Sequence, residues 1–201
     1  VVTASNILVQ YPVAFDLGPL HLGDLLTWGA FTYPFAFLVS ELVNRFYGLA
    51  AARRVVYAGF VVGLICSAIG TQIMGEFGPL VSLRVAIGSG VAFLAAQLTD
   101  VAVFHRLRSG AWWKAPLVST LISSSLDTAI FFTIAFSAAF TALEPMNDVS
   151  WAGEMLPLLG LGPVAPLWVS LAVADWLVKL LLAGVALLPF RLALAKLGTR
   201  V

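Results

Sequence analysis

The sequence predicts an all-α integral membrane protein of six transmembrane helices, with both termini on the cytoplasmic side. Three observations lead there. The 201 residues are 61% hydrophobic and 10% charged, with a mean hydropathy of +1.00, whereas a soluble domain carries about 25% charged residues. The apolar runs are long and unbroken, near the roughly 20 residues a helix needs to cross a bilayer, and lack the alternating ten-residue pattern of a barrel. The charges between the runs alternate in sign from loop to loop.

Residues 1–201 read as one domain with spans at about 1–15, 27–47, 54–74, 82–105, 116–141 and 164–192. The first, "VVTASNILVQYPVAF", is too short to cross alone, and the chain begins with Val, so a trimmed N-terminus is expected; no signal peptide is visible. Pro12 and Pro34 fall inside the first two spans and predict kinks, because proline frees a helix carbonyl. The third offers only Ser67, Thr71 and Gln72 as polar groups and reads as lipid-facing. The longest connection, 142–163, sets three acids before a Pro/Gly-bounded apolar patch and reads as an external loop lying partly in the interface.

Orientation follows from the basic residues. Arg45, Arg53 and Arg54 follow the second span, Arg106, Arg108 and Lys114 the fourth, and Arg191, Lys196 and Arg200 the sixth. These are nine of the eleven bases, and no acid stands among them; Asp16, Asp24, Glu76, Glu144, Asp148 and Glu154 occupy the opposite loops. The positive-inside rule then places the C-terminus in the cytoplasm, and six spans place the N-terminus there too.

Glu41, Asp100, Asp127, Asp175 and Lys179 remain inside the spans. Each costs about 2.5–3.5 kcal/mol at mid-membrane, so such residues face one another, a wet cavity or a ligand. Their spacing converges. Glu41, Asn44 and Arg45 share a helical face with Gly48; Gln97 and Asp100 are i, i+3; Thr120, Ser124, Asp127 and Phe131 form a stripe; Asp175 and Lys179, like Asn6 and Gln10, are i, i+4. Asp175 with Lys179 reads either as a site or as a self-neutralising pair. Arg45 reads as a topology anchor, and Arg84, at a span edge, as a snorkelling one. Asp100 and Asp127 have no base at i±3 or i±4. "AFLVSELVN" (36–44) echoes "AFLAAQLTD" (92–100), which suggests a parallel repeat.

Four acids against one base favour a cation or a neutral molecule rich in N–H donors, and suit protons. Phe131, Phe132 and Trp176 could flank a flat heterocycle. A net charge of +1 gives no case for nucleic acid, and the single Cys66 allows no internal disulfide. No Walker A, HExxH, GxSxG or CxxC motif occurs, so no metal, cofactor or enzymatic activity is expected.

The fragments "TASNILVQYPV", "TWGAFTYPFAFLVSELVNRFYG", "QLTDVAVFHRLR", "STLISSSLDTAIFFTIAF" and "DWLVKLLLAGVALLPF" resemble, in order along nearly the whole chain, the queuosine precursor transporter (vitamin uptake transporter) family, and its proteobacterial members in particular. The resemblance implies a six-helix importer of the bacterial inner membrane, with a fold like the membrane substrate-binding subunits of energy-coupling-factor importers. Its cargo would be 7-cyano-7-deazaguanine, with 7-aminomethyl-7-deazaguanine as a second substrate. The family's polar positions fall on Ser5 and Asn6, Glu41, Gln97 and Asp100, Asp127 and Thr128, and Asp175 and Lys179. Two departures stand out: Ser124 replaces an amide, and the first span is short. The expected substrate-binding set is Asn6, Gln10, Glu41, Asn44, Gln97, Asp100, Asp127, Thr128, Phe131, Asp175 and Lys179. The expected partners are a small heterocycle, the lipid bilayer and, as a further candidate, a second copy of the chain. A stand-alone, proton-driven importer is one reading; a capture subunit that needs a separate ATPase is the other.

Overall fold

The computed structural model describes residues 16–17, 20–21, 28–75 and 78–197. The first expected span, with Asn6 and Gln10, lies outside them. Two minimal hairpins, β1 (Asp16–Leu17) with β2 (Leu20–His21) and β3 (Met74–Gly75) with β4 (Gly78–Pro79), flank the first two long helices, α1 (Gly29–Tyr47) and α2 (Leu49–Gly70). A single residue joins these helices. Gly48 has φ +84°, a region L side chains avoid, and its N–H closes α1 on the Asn44 carbonyl at 3.1 Å.

The third span therefore begins at residue 49, five residues before the expected start. Arg53 and Arg54, read from sequence as loop residues, lie within α2 with exposed side chains. Their long stems let them sit on a helix end while the guanidinium reaches water. Most of α2 is exposed, including Val61, Leu64, Ile65 and Ile69, as suits a helix against lipid.

The next helix, α3 (Leu83–Leu107), is capped by Ser82, whose hydroxyl accepts from the Val85 N–H at 3.3 Å. Gly88, Ala92 and Ala96 recur every fourth residue and are buried. This small stripe brings α3 close to α4 (Lys114–Phe136): a Cβ on Gly88 would stand 3.4 Å from the Phe131 carbonyl. α4 stops at Phe136, short of the expected residue 141. Ser137 turns extended, its hydroxyl accepts from the Ala139 N–H, and a 3₁₀ turn covers Ala138–Leu143. The long connection then folds into a 3₁₀ turn (Ser150–Gly153) and a hairpin of β5 (Met155–Pro157) with β6 (Val164–Pro166). The hairpin takes the first residues expected of the last span, so α5 runs Leu167–Leu197.

Among the described residues four helices, α2, α3, α4 and α5, are long and apolar enough to cross a membrane. Side-chain contacts give their directions. Ser40 to Gln97 and Asn44 to Val101 are both 57 residues apart, so α1 and α3 run parallel. Arg84 meets Ile134 while Asp100 meets Ser123, so α4 is antiparallel to α3. Lys179 meets Asp127 while Asp175 meets Thr128, so α5 is antiparallel to α4. The basic ends of α1, α3 and α5 therefore gather at one end of the bundle. There Arg45 donates to the Arg108 carbonyl, Arg108 donates to the Asn44 carbonyl at 3.4 Å, and Arg191 lies 5.4 Å from the Trp112 ring centre. The first two contacts cap helix C-termini with cations.

At the opposite end Arg84 departs from its expected role. It is not a snorkelling anchor but fully buried, because the last turn of α4 leaves carbonyls that need donors. Its guanidinium donates to Ile134 O at 3.2 Å and Ser137 O at 2.6 Å, while its backbone N–H donates to Glu144 Oε2 at 3.1 Å. Burial pushes the Glu144 carboxyl up, but the backbone N–H groups of Arg84 and Leu83, the Asn147 amide and the Arg84 charge outweigh it and hold the group below its ordinary range.

Two predictions follow from this end of the bundle. Arg84→Met strips the α4 carbonyls of donors and destabilises the protein by about 1–3 kcal/mol, read as a lowered unfolding temperature in detergent. Glu144, with its folded-state value depressed, contributes stability that is complete above the unfolded value of about 4.3 and is lost as pH falls through the lower folded value. Between pH 7 and strongly acidic conditions the wild type therefore loses more thermal stability than Glu144→Gln.

Candidate functional site

Two buried polar clusters occupy the interior, both built on one face of α4. This face carries Ser119, Thr120, Ser123, Ser124, Asp127 and Thr128, all buried. Their spacing follows the helical repeat, so successive turns present hydroxyls and one carboxylate to the neighbouring helices.

The first cluster joins α1, α3 and α4. Glu41 Oε1 accepts from Thr120 Oγ1 at 2.8 Å and Ser119 Oγ at 3.2 Å. Asp100 Oδ1 accepts from Ser123 Oγ at 3.2 Å. Ser40 Oγ donates to Gln97 Oε1 at 3.0 Å, and Asn44 Nδ2 donates to the Val101 carbonyl at 2.8 Å. Each of these side chains is at least 97% buried except Thr120. Three of their polar atoms nevertheless find no partner: Asn44 Oδ1, Gln97 Nε2 and Asp100 Oδ2. A buried polar atom without a partner costs about 1–3 kcal/mol, so native proteins keep few of them and those few point to a role. A cavity beside Glu41, lined also by Phe37, Leu38, Pro116, Thr120 and Ala183, has room for about one water molecule.

The second cluster joins α4 and α5. Lys179 Nζ lies 2.7 Å from Asp127 Oδ2 and 2.5 Å from Asp175 Oδ2. It also donates to Thr128 Oγ1 at 3.1 Å, and Thr128 Oγ1 donates to Asp175 Oδ2 at 2.9 Å. Lys179 is thus held by two carboxylates rather than by Asp175 alone. The base that Asp127 lacks on its own helix arrives from α5, a contact no spacing rule could reveal.

The expected residues divide accordingly. Glu41, Asn44, Gln97 and Asp100 come together; Asp127, Thr128, Asp175 and Lys179 come together two turns along α4. Phe131 is half-buried, one turn beyond, with its ring edge-to-face against Phe132 at 5.1 Å and Phe136 at 6.1 Å. Phe136 in turn meets Trp151 of the long connection at 5.8 Å. Trp176 turns outward, donating to Ser125 on the exposed side of α4 at 2.9 Å. Sequence reasoning passed over Ser40, Ser119 and Ser123 as ligands of the cluster. Their one available signal was helical spacing: Ser40 stands four residues before Asn44, and Ser119 and Ser123 stand eight and four before Asp127.

Lys179→Met leaves two buried carboxylates without their cation and costs about 3–5 kcal/mol. Adding Asp127→Asn and Asp175→Asn restores part of it. Unfolding temperatures of the single and triple variants check this order.

The family described as "Putative vitamin uptake transporter" matches residues 27–194. The "Queuosine precursor transporter" of Escherichia coli K12 is 36% identical over 200 residues, covering 94% of this chain and 79% of the relative. The "Probable queuosine precursor transporter" of Haemophilus influenzae Rd is 35% identical over 169 residues, 76% of this chain and 71% of the relative. A Bacillus subtilis 168 protein of the same printed name is 30% identical over 140 residues, 60% of each chain. No solved structure is significantly similar to this chain. With its long apolar helices the chain is a multi-pass protein of the bacterial inner membrane. It belongs to the vitamin uptake transporter family, the family of the queuosine precursor transporters, and is a transporter, not an enzyme.

Proposed function

We propose that the chain imports queuosine precursors, 7-cyano-7-deazaguanine first and its aminomethyl relative second, by alternating access driven by an inward proton gradient. The printed names of the relatives support the cargo class. The observation that carries the site is the unpartnered Asn44 Oδ1 and Gln97 Nε2, both buried and borne on the parallel helices α1 and α3. One is an acceptor and the other a donor. A deazaguanine edge offers the complement: a ring N–H and an exocyclic amine to donate, and a carbonyl to accept.

The described helices leave room for about one water beside Glu41, far below the roughly 300 Å³ or more that a heterocycle occupies in a binding pocket. The cargo therefore enters by parting the helices, and alternating access is a way to part them at one end at a time. Basic helix ends that contact one another support a cytoplasmic placement of that end. In this reading the Asp127–Lys179–Asp175 cluster borders the site and presents net negative charge to an aminomethyl cation. Six spans, with N- and C-termini inside, complete the topology.

Purified protein in liposomes tests the proposal through uptake of labelled 7-cyano-7-deazaguanine. Wild type accumulates it, and faster with an inward proton gradient. Gln97→Ala and Asn44→Ala each lose one hydrogen bond to the heterocycle and bind it about 10-fold more weakly, near 1.4 kcal/mol. Binding without uptake would instead assign a capture subunit that needs a separate motor. A wild type that shows neither binding nor uptake overturns the cargo.

A further inference from the structure

The transport reading leaves open which groups carry the driving proton, and the first cluster contains a pair built differently from the second. Asp127 and Asp175 are neutralised by a lysine between them. Glu41 and Asp100 are held instead by hydroxyls on neighbouring turns of α4. Ser119 Oγ donates to Glu41 Oε1 at 3.2 Å, and Ser123 Oγ, one turn further along α4, donates to Asp100 Oδ1 at 3.2 Å. Thr120 serves Glu41 as well.

The remaining charged groups around the pair are engaged elsewhere. On α4, Asp127 is bound by Lys179, which α5 contributes together with Asp175. On α1 and after α3, Arg45 and Arg108 donate to main-chain carbonyls. On α2, Arg53 and Arg54 are exposed. His105 follows Asp100 by five residues on α3, with its Nδ1 buried and unpartnered. Among the described residues no cation forms an ion pair with Glu41 or Asp100. Two ionised carboxylates on neighbouring turns of one buried helix face repel each other. The space beside Glu41 admits one water and excludes a heterocycle, while Asp100 Oδ2 is buried and without a partner.

We infer that Glu41 and Asp100 together form a proton site, one proton shared between the two carboxylates and separate from the amide pair that reads the heterocycle. The step is a simple transfer: a carboxylate oxygen takes a proton from the medium on one side, forming an O–H bond, and that bond breaks to release the proton to the other side. Because Asn44 is one turn from Glu41 on α1 and Gln97 one turn from Asp100 on α3, loading the pair reaches the reading amides through two rigid helices.

Infrared difference spectroscopy of the protein in lipid tests this without any cargo. Wild type at neutral pH carries the carbonyl stretch of a buried protonated carboxyl; Glu41→Gln and Asp100→Asn each abolish its pH response, Glu41→Asp keeps it, and Asp127→Asn leaves it in place. A band unchanged in both Glu41→Gln and Asp100→Asn overturns the assignment. In liposomes the two variants take up cargo equally with and without a proton gradient, whatever their remaining rate. Stimulation equal to wild type in both, or by a sodium gradient in place of protons, also overturns it. Wild type that neither binds nor takes up 7-cyano-7-deazaguanine overturns the cargo instead, and the infrared result then decides the proton site alone.

Discussion

A buried charged group in this bundle has to find its partner inside the protein, because the bilayer offers none, and Glu41, Arg84, Asp100 and Lys179 all find one on α4. Glu41 of α1 reaches Ser119 and Thr120; Asp100 of α3 reaches Ser123; Lys179 and Asp175 of α5 reach Asp127 and Thr128; Arg84 reaches the last carbonyls of the same helix. α4 is thus the common ligand of three other helices. The small stripe Gly88–Ala92–Ala96 on α3 makes this geometry accessible, since short hydroxyls bridge only between backbones that approach closely. Polar partnership and close packing are one constraint seen from two sides.

That constraint explains why the two clusters differ. The α4–α5 cluster closes on itself: a lysine between two carboxylates, with a threonine filling the remaining position. A closed set of this kind fixes helix positions. The α1–α3–α4 cluster stays open, with an amide oxygen, an amide nitrogen and a carboxylate oxygen buried and unmatched. An open set stores an unfavourable energy that a complementary molecule can relieve. An open set and a closed one thus divide the length of a single helix.

Much of this was legible in the sequence, and the rest failed for identifiable reasons. Composition and run length were enough for the membrane class, and helical spacing located the polar stripes holding Glu41, Gln97, Asp100 and Asp127. Helix ends were harder. Arg53 and Arg54 look like loop residues by charge, yet snorkelling lets them sit in α2; Ser137 ends α4 inside an apolar run through a local hydroxyl contact. Contacts between distant residues were hardest. Arg84 resembles an interfacial anchor until the end of α4 is set beside it, and Asp127 looks unpaired until α5 supplies Lys179. Periodicity tells which residues share a face; it says nothing of what the face meets.

The one-residue link at Gly48 carries a mechanical consequence. Consecutive Cα atoms are about 3.8 Å apart, so α1 and α2 cannot separate at this end by more than a residue or so of chain. Any spreading between them must grow with distance from Gly48, like the jaws of a clothes peg about its spring. The helix bearing Glu41 and Asn44 therefore pivots rather than slides, and its far end sweeps the widest arc.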